Sequence, residues 1–174
     1  SLLLITILSL SLFACGSNEK SNEESSKESS KEKEPLTAEQ IVEKLKTDYD
    51  LPIVQELTYD EETDVNGLLG RPGQYTSKTN WNDERDTESV NYQNDESMTA
   101  DGSDFRACTV EVFATPSDAN DRKEYIESTW ENNDLLSQDQ YIYLVDTALL
   151  RIPYNLTPDQ AAEYEDAFNK IMKQ

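Results

Sequence analysis

Three segments, Thr37-Ala38-Glu39-Gln40, Thr115-Pro116-Ser117-Asp118 and Thr157-Pro158-Asp159-Gln160, divide this chain before any other reading is made. In the first and third, a threonine hydroxyl can accept from the backbone N–H three residues on, while the glutamine there reaches back to the threonine N–H. That reciprocal pair satisfies two of the donors every helix start leaves orphaned. Proline directly after the threonine in the second and third supplies a φ already suited to the first helical position. The first predicted helix carries Ile41, Val42, Leu45 and Tyr49 on one stripe, and Pro52 forbids much continuation beyond Asp50. The second runs to about Glu131, with Ala119, Tyr125 or Ile126, and Trp130 as its apolar face. In the third, Ala161, Tyr164, Phe168 and Ile171 follow at helical spacing.

Between the helices, residues 74–81, 105–113, 140–145 and 148–153 have strand character. Cys108, Val110 and Val112 alternate with Thr109 and Glu111, the period-two pattern of a half-buried strand with Cys108 towards the core. Asp146-Thr147 between the last two segments reads as a hairpin turn. The expected fold is therefore α+β: a mainly antiparallel four-stranded sheet with three helices in the order α-β-β-α-β-β-α. Residues 82–104 show no apolar period and read as a long mobile loop.

The sequence ahead of Thr37 has a different character. Residues 1–14 form an uncharged, leucine-rich run ending in Ala14 before Cys15, which reads as the apolar region and cleavage site of an export signal. It is shorter than the roughly 20 residues of a membrane-spanning helix, and polar sequence follows at once. The chain begins at Ser1 without Met or a basic stretch, so a truncated start is expected. Leu12-Phe13-Ala14-Cys15 resembles the bacterial lipobox, which implies a diacylglycerol on the Cys15 sulfur. Two acyl chains hold a protein on a bilayer stably where one does so only marginally. Residues 15–36, after the lipidated cysteine, are a Ser/Glu/Lys tether with too little apolar surface to offset its ordering entropy. About 20 such residues reach on the order of 25 Å as a flexible coil. One domain, 37–174, remains.

Fifteen Lys and Arg face 36 Asp and Glu, a net charge of -21 that repels nucleic acid and anionic membrane surfaces. The chain has no His, which removes the side chain best suited to proton transfer near neutral pH. With Cys15 consumed by lipid, Cys108 is a lone thiol.

The stretch from Leu68 through Gly70-Arg71-Pro72-Gly73-Gln74-Tyr75 to Lys78, then Val110-Glu111-Val112-Phe113, Leu149-Leu150-Arg151 and Leu156 to Ala161, together resemble a group of uncharacterised lipoproteins from Gram-positive bacteria. The likeness spans nearly all of Thr37 to Lys173. It implies a lipid-anchored domain on the extracytoplasmic face of the cell membrane and carries over no mechanism.

The most unusual local sequence is the turn holding Arg71, Gln74, Tyr75 and Lys78, where cations beside an aromatic ring suit a carboxylate, a phosphate or a sugar face. Against this stands a turn whose Gly and Pro only set backbone geometry. Asp83, Asp86, Asp95 and Asp101 are candidate oxygen ligands for calcium, set against a solvated acidic loop. Glu62-Thr63-Asp64-Val65-Asn66-Gly67 opens like a calcium loop but lacks the glutamate that would close it. Arg151 between Leu150 and Ile152 reads as a paired structural cation, and Tyr141, Tyr143, Tyr154 and Tyr164 as core or as the lining of a groove. The expectation is a non-enzymatic module that binds an envelope protein, peptide or glycan. A calcium-dependent binder and a carboxylate-based envelope hydrolase are the alternatives.

Overall fold

The structure, a computed structural model, describes residues 35–93, 107–131 and 140–174. The expected signal, Cys15, nearly all of the expected tether and the candidate ligands Asp95 and Asp101 lie outside them. Nine elements follow in order: α1 (Ala38–Thr47), β1 (Ile53–Thr58), β2 (Tyr75–Asp83), α2 (Thr87–Gln93), β3 (Cys108–Phe113), α3 (Pro116–Glu131), β4 (Gln140–Val145), β5 (Ala148–Pro153) and α4 (Pro158–Met172). All pairings are antiparallel, in the order β1-β2-β3-β5-β4. The α+β class holds with five strands and four helices rather than four and three.

Both capping boxes form: Thr37 and Thr157 each accept from the N–H of the glutamine three residues on, and each glutamine side chain accepts from its threonine N–H. At α3 the Thr115 hydroxyl accepts from Asp118 N–H at 3.2 Å. Each cap is worth about 1 kcal/mol, so the helix starts are set locally, before any tertiary contact.

The strand absent from the sequence reading, β1, hides its period. Its register against β2 shifts between Val54 and Leu57, and Gln55 sits at φ 53°. A left-handed non-glycine residue at a bulge puts two residues opposite one and breaks the alternation. Gln55 is held there by its side chain, which accepts from Asn82 Nδ2 at 2.8 Å and donates to the Val90 carbonyl at 3.3 Å. The expected 82–104 loop is corrected over its first half. Residues 82 and 83 finish β2, and 87–93 form α2, whose start is capped by Asp86 accepting from the Ser89 hydroxyl and N–H at 2.6 and 3.2 Å.

The sheet is covered on both faces. On one, α1 and α4 bury Ile41, Leu45, Tyr164, Phe168 and Ile171 against Trp81, Cys108, Val110, Leu150 and Ile152. On the other, Ala119 and Ile126 of α3 pack with Tyr75, Phe113 and Leu149. The half-buried reading of β3 is thereby corrected. Cys108 faces the core as expected, but Thr109 and Glu111 on the opposite face are fully buried too.

Candidate functional site

The turn residues part company. Arg71 is exposed and Gln74 half-buried, whereas Tyr75 and Lys78 have no exposed surface at all. Gly70 and Gly73 adopt φ 74° and 73°, which turns the backbone so that Tyr75 enters β2 pointing inward. What receives it is Asp64, from the segment read as a failed calcium loop. Its carboxylate accepts from the Tyr75 hydroxyl at 2.7 and 2.8 Å and from the N–H groups of Leu68 and Leu69 at 2.8 and 3.0 Å. Lys78 Nζ lies 3.8 Å from the same carboxylate and 4.3 Å over the Tyr59 ring. Asp64 therefore fastens the loop to the sheet, and only Arg71 and Gln74 remain at the surface of the turn.

Lys78 opens a larger arrangement on the sheet face that α3 crosses. In register it stands opposite Glu111, and Asn80 opposite Thr109, which in turn stands opposite Arg151. Arg151 pairs with Ile142, one alternate position along β4 from Gln140, whose side-chain oxygen accepts from Arg151 Nη1 at 3.3 Å. Strands at the middle of a covered sheet ordinarily present apolar side chains to both layers; here one face carries polar side chains on four strands beside its apolar Tyr75, Phe113 and Leu149. Glu111 anchors it. From α3, Arg122 donates to the Glu111 carboxylate through Nε at 3.2 Å and Nη2 at 3.0 Å, and Arg151 Nη2 lies 3.5 Å away. The guanidinium of Arg122 also stands 5.9 Å from the rings of Tyr75 and Tyr125.

Not every polar atom on this face is satisfied. Asn82 Oδ1, Thr109 Oγ1 and Arg151 Nε are enclosed and have no hydrogen-bond partner among the described residues. An unmade hydrogen bond on a buried group costs about 1–3 kcal/mol, so three on one face call for a reason.

The candidate calcium ligands among the described residues are otherwise occupied. Asp83 takes Arg85 through Nε at 2.9 Å and Nη2 at 2.8 Å and accepts from the Tyr164 hydroxyl at 2.8 Å. Asp86, besides capping α2, accepts from Asn155 Nδ2 at 3.2 Å. No group of three His, Cys, Asp or Glu among the described residues is placed to hold a metal ion. The four candidate tyrosines do not share a groove. Tyr164 packs against Trp81 in the interior, while Tyr141 stacks edge-on with Tyr154, 45% exposed, at a centroid distance of 4.3 Å.

Ionisation is pinned across these groups. For Glu111, burial pushes upward, yet Arg151, Arg122 and Lys78 together hold its carboxyl below the ordinary value. Asp64 follows the same pattern: burial raises it, but bonds from Tyr75, Leu69 and Leu68 and the Lys78 charge leave it lowered. Burial, reinforced by Asp64, pushes Tyr75 up, and burial and the charges of Asp83 and Asp86 raise the Cys108 thiol. Tyr143 is pushed up to about 12 by burial and by Glu165.

The sign of the pH dependence follows. A depressed carboxyl adds stability above its unfolded value, near 4, and that stability is lost as pH falls through the lower folded value. Stability should therefore hold between about pH 7 and pH 5 and collapse below about pH 4. A urea midpoint measured across that range checks this; a midpoint unchanged at pH 3 would show that neither buried carboxylate matters. The raised tyrosines work in reverse, their contribution present below about pH 10 and lost as pH climbs through the folded values.

The sequence signalled part of this arrangement. Arg151 was anticipated as a paired cation; Asp64, Glu111 and Arg122 were missed, although opposite charges at Lys78, Glu111 and Arg151 in three strand segments were the sign to follow. No helix among the described residues is long and apolar enough to cross a membrane. No family model matches the chain, and neither a curated protein nor a solved structure shows significant similarity to it.

Proposed function

We propose that this chain is a lipid-anchored, extracytoplasmic binding module without catalytic activity, held to the membrane through Cys15 and binding on the polar face of its sheet. The anchor is read from residues 1–15 and the tether after them. The observation that carries the binding role is the polar face itself: charged and amide side chains on β2, β3 and β5, enclosed, with three atoms left unsatisfied. A face of that composition is costly to keep for packing alone, because buried polar groups stabilise less than apolar ones of the same shape. The pinned charges favour binding over proton transfer. A general acid or base is tuned towards the working pH, while Asp64 and Glu111 are moved down, away from it.

Detergent-phase partitioning tests the anchored part. The wild-type protein made in bacteria that process lipoproteins is expected in the detergent phase, and Cys15→Ala in the aqueous phase or unprocessed. Identical partitioning of the two sinks the anchor.

A further inference from the structure

The described sheet ends on β1 at one side and on β4 at the other, and the two edges are built differently. β1 shifts register between Val54 and Leu57, holds Gln55 left-handed and carries Glu56. A bulge and a charge are devices that keep an edge from pairing with another chain. β4 has neither. Its residues, Gln140 to Val145, run in unbroken register against β5 and include no charge and no proline, in a chain where 36 of 174 residues are acidic.

The exposure of β4 shows where it is open. Tyr141, Tyr143 and Val145 pack towards the core under α1 and α4, and Ile142 and Leu144 towards the core under α3. All five are nevertheless partly exposed, while every residue of β5 beside them is buried. Side chains on both faces of one strand are open together where the flank of that strand is open. The backbone agrees. Asp146-Thr147 is a two-residue turn, so Val145 and Ala148 exchange hydrogen bonds across it. By alternation the N–H and C=O groups of Gln140, Ile142 and Leu144 point away from β5.

A second copy of β4 matches this flank. Laid antiparallel about a twofold axis through Tyr143, Ile142 of each copy hydrogen-bonds with Leu144 of the other. Tyr143 then meets Tyr143, and Tyr141 meets Val145, aromatic and β-branched pairs of the kind that stabilise a sheet. No like charges stand opposite each other. A basic or acidic peptide finds no counter-charge on this strand, which favours a copy of the strand itself. The net charge of -21 opposes association, but at physiological salt such repulsion reaches only about 8 Å, and the strand itself is neutral. Acids flank it, Asp146 at its end and Glu165 near Tyr143, so the repulsion that remains is the kind salt removes.

We propose that β4 is the interface through which two copies of this chain pair, strand against antiparallel strand, joining their sheets into one. A twofold axis makes this a closed, self-complementary contact that stops at two copies.

Position-specific cross-linking of the full chain, purified in detergent, tests this. At the axis Tyr143 would face its counterpart at a non-hydrogen-bonded position, where Cα atoms stand about 4.5 Å apart, within the range a disulfide spans. Under mild oxidation Tyr143→Cys is expected to form a disulfide dimer about tenfold faster than Val65→Cys or Tyr125→Cys, which sit at positions 55% and 63% exposed away from this edge. Leu144→Pro, added to Tyr143→Cys, removes one outward N–H and keeps the bonds to β5, so it should bring cross-linking down to the control rate while unfolding stays cooperative. Ile142→Lys, which places a charge on the edge, is the replacement if the proline variant does not fold, with the same expectation. Raising salt from about 50 to 500 mM should increase dimer formation. Tyr143→Cys linking no faster than the two controls overturns the proposal. So does a dimer that survives both edge variants, one that salt dissociates, or a disulfide from Cys at 143 to another protein in place of the dimer.

Discussion

Glu111→Ala is expected to cost about 3–5 kcal/mol of unfolding free energy, the range for removing one partner of a buried ionic group. For a domain whose whole stability is of order 5–15 kcal/mol, that is a large share. The loss exceeds that of a surface ion pair, worth about 0–1 kcal/mol, because the guanidiniums remain in place. Arg122 loses both of its bonds at 3.2 and 3.0 Å, and Arg151 loses the anion 3.5 Å away. Their charges then face no carboxylate among the described residues. The double variant Glu111→Leu with Arg122→Leu should lose less than the two single variants summed, by about 0.5–3 kcal/mol, since it strands one guanidinium, Arg151, where removal of Glu111 alone strands two. Urea unfolding of the three variants measures this, and strict additivity would show that the pair is not coupled.

Asp64→Asn has the next largest expected effect, about 2–3 kcal/mol, the scale of a hydrogen bond to a charged group. The amide preserves shape and can still accept from Leu68 or Leu69, but it gives up the charge that faces Lys78 at 3.8 Å. It also removes the anion that helps to raise Tyr75, so the Tyr75 phenol should ionise at lower pH in the variant than in the wild type. Tyrosinate absorbance followed through alkaline pH reads that shift in the same samples. An unchanged titration with unchanged stability would mean that Asp64 does not fasten the loop.

Legibility from the sequence was uneven for identifiable reasons. The helix starts at Thr37, Thr115 and Thr157 were readable because capping is local chemistry, complete within four residues. The hairpin of β4 and β5 was readable because its register runs without a break from Gln140 opposite Pro153 to Val145 opposite Ala148. β1 was not, because the left-handed Gln55 interrupts its alternation, and α2 was not, because seven polar-rich residues carry no apolar period. The candidate site failed differently. Lys78, Thr109 and Glu111 have the residue types of a solvent face, and period-two reasoning assigned β3 a wet side. It is dry because α3 crosses it and answers Glu111 with Arg122, sixteen-residue helix against strand, a pairing that only tertiary structure reveals. The conspicuous turn misled in the same sense. Its glycines do mark a special backbone, but that backbone directs Tyr75 inward to Asp64 and away from any partner.

The proposed role depends on the proposed anchor at Cys15. Intact-mass analysis of the mature protein isolated from membranes is the most direct measurement. It should find a polypeptide that starts at Cys15 and carries the mass of a diacylglycerol on sulfur. A chain that still bears residues 1–14, or an unmodified thiol at position 15, would contradict the account.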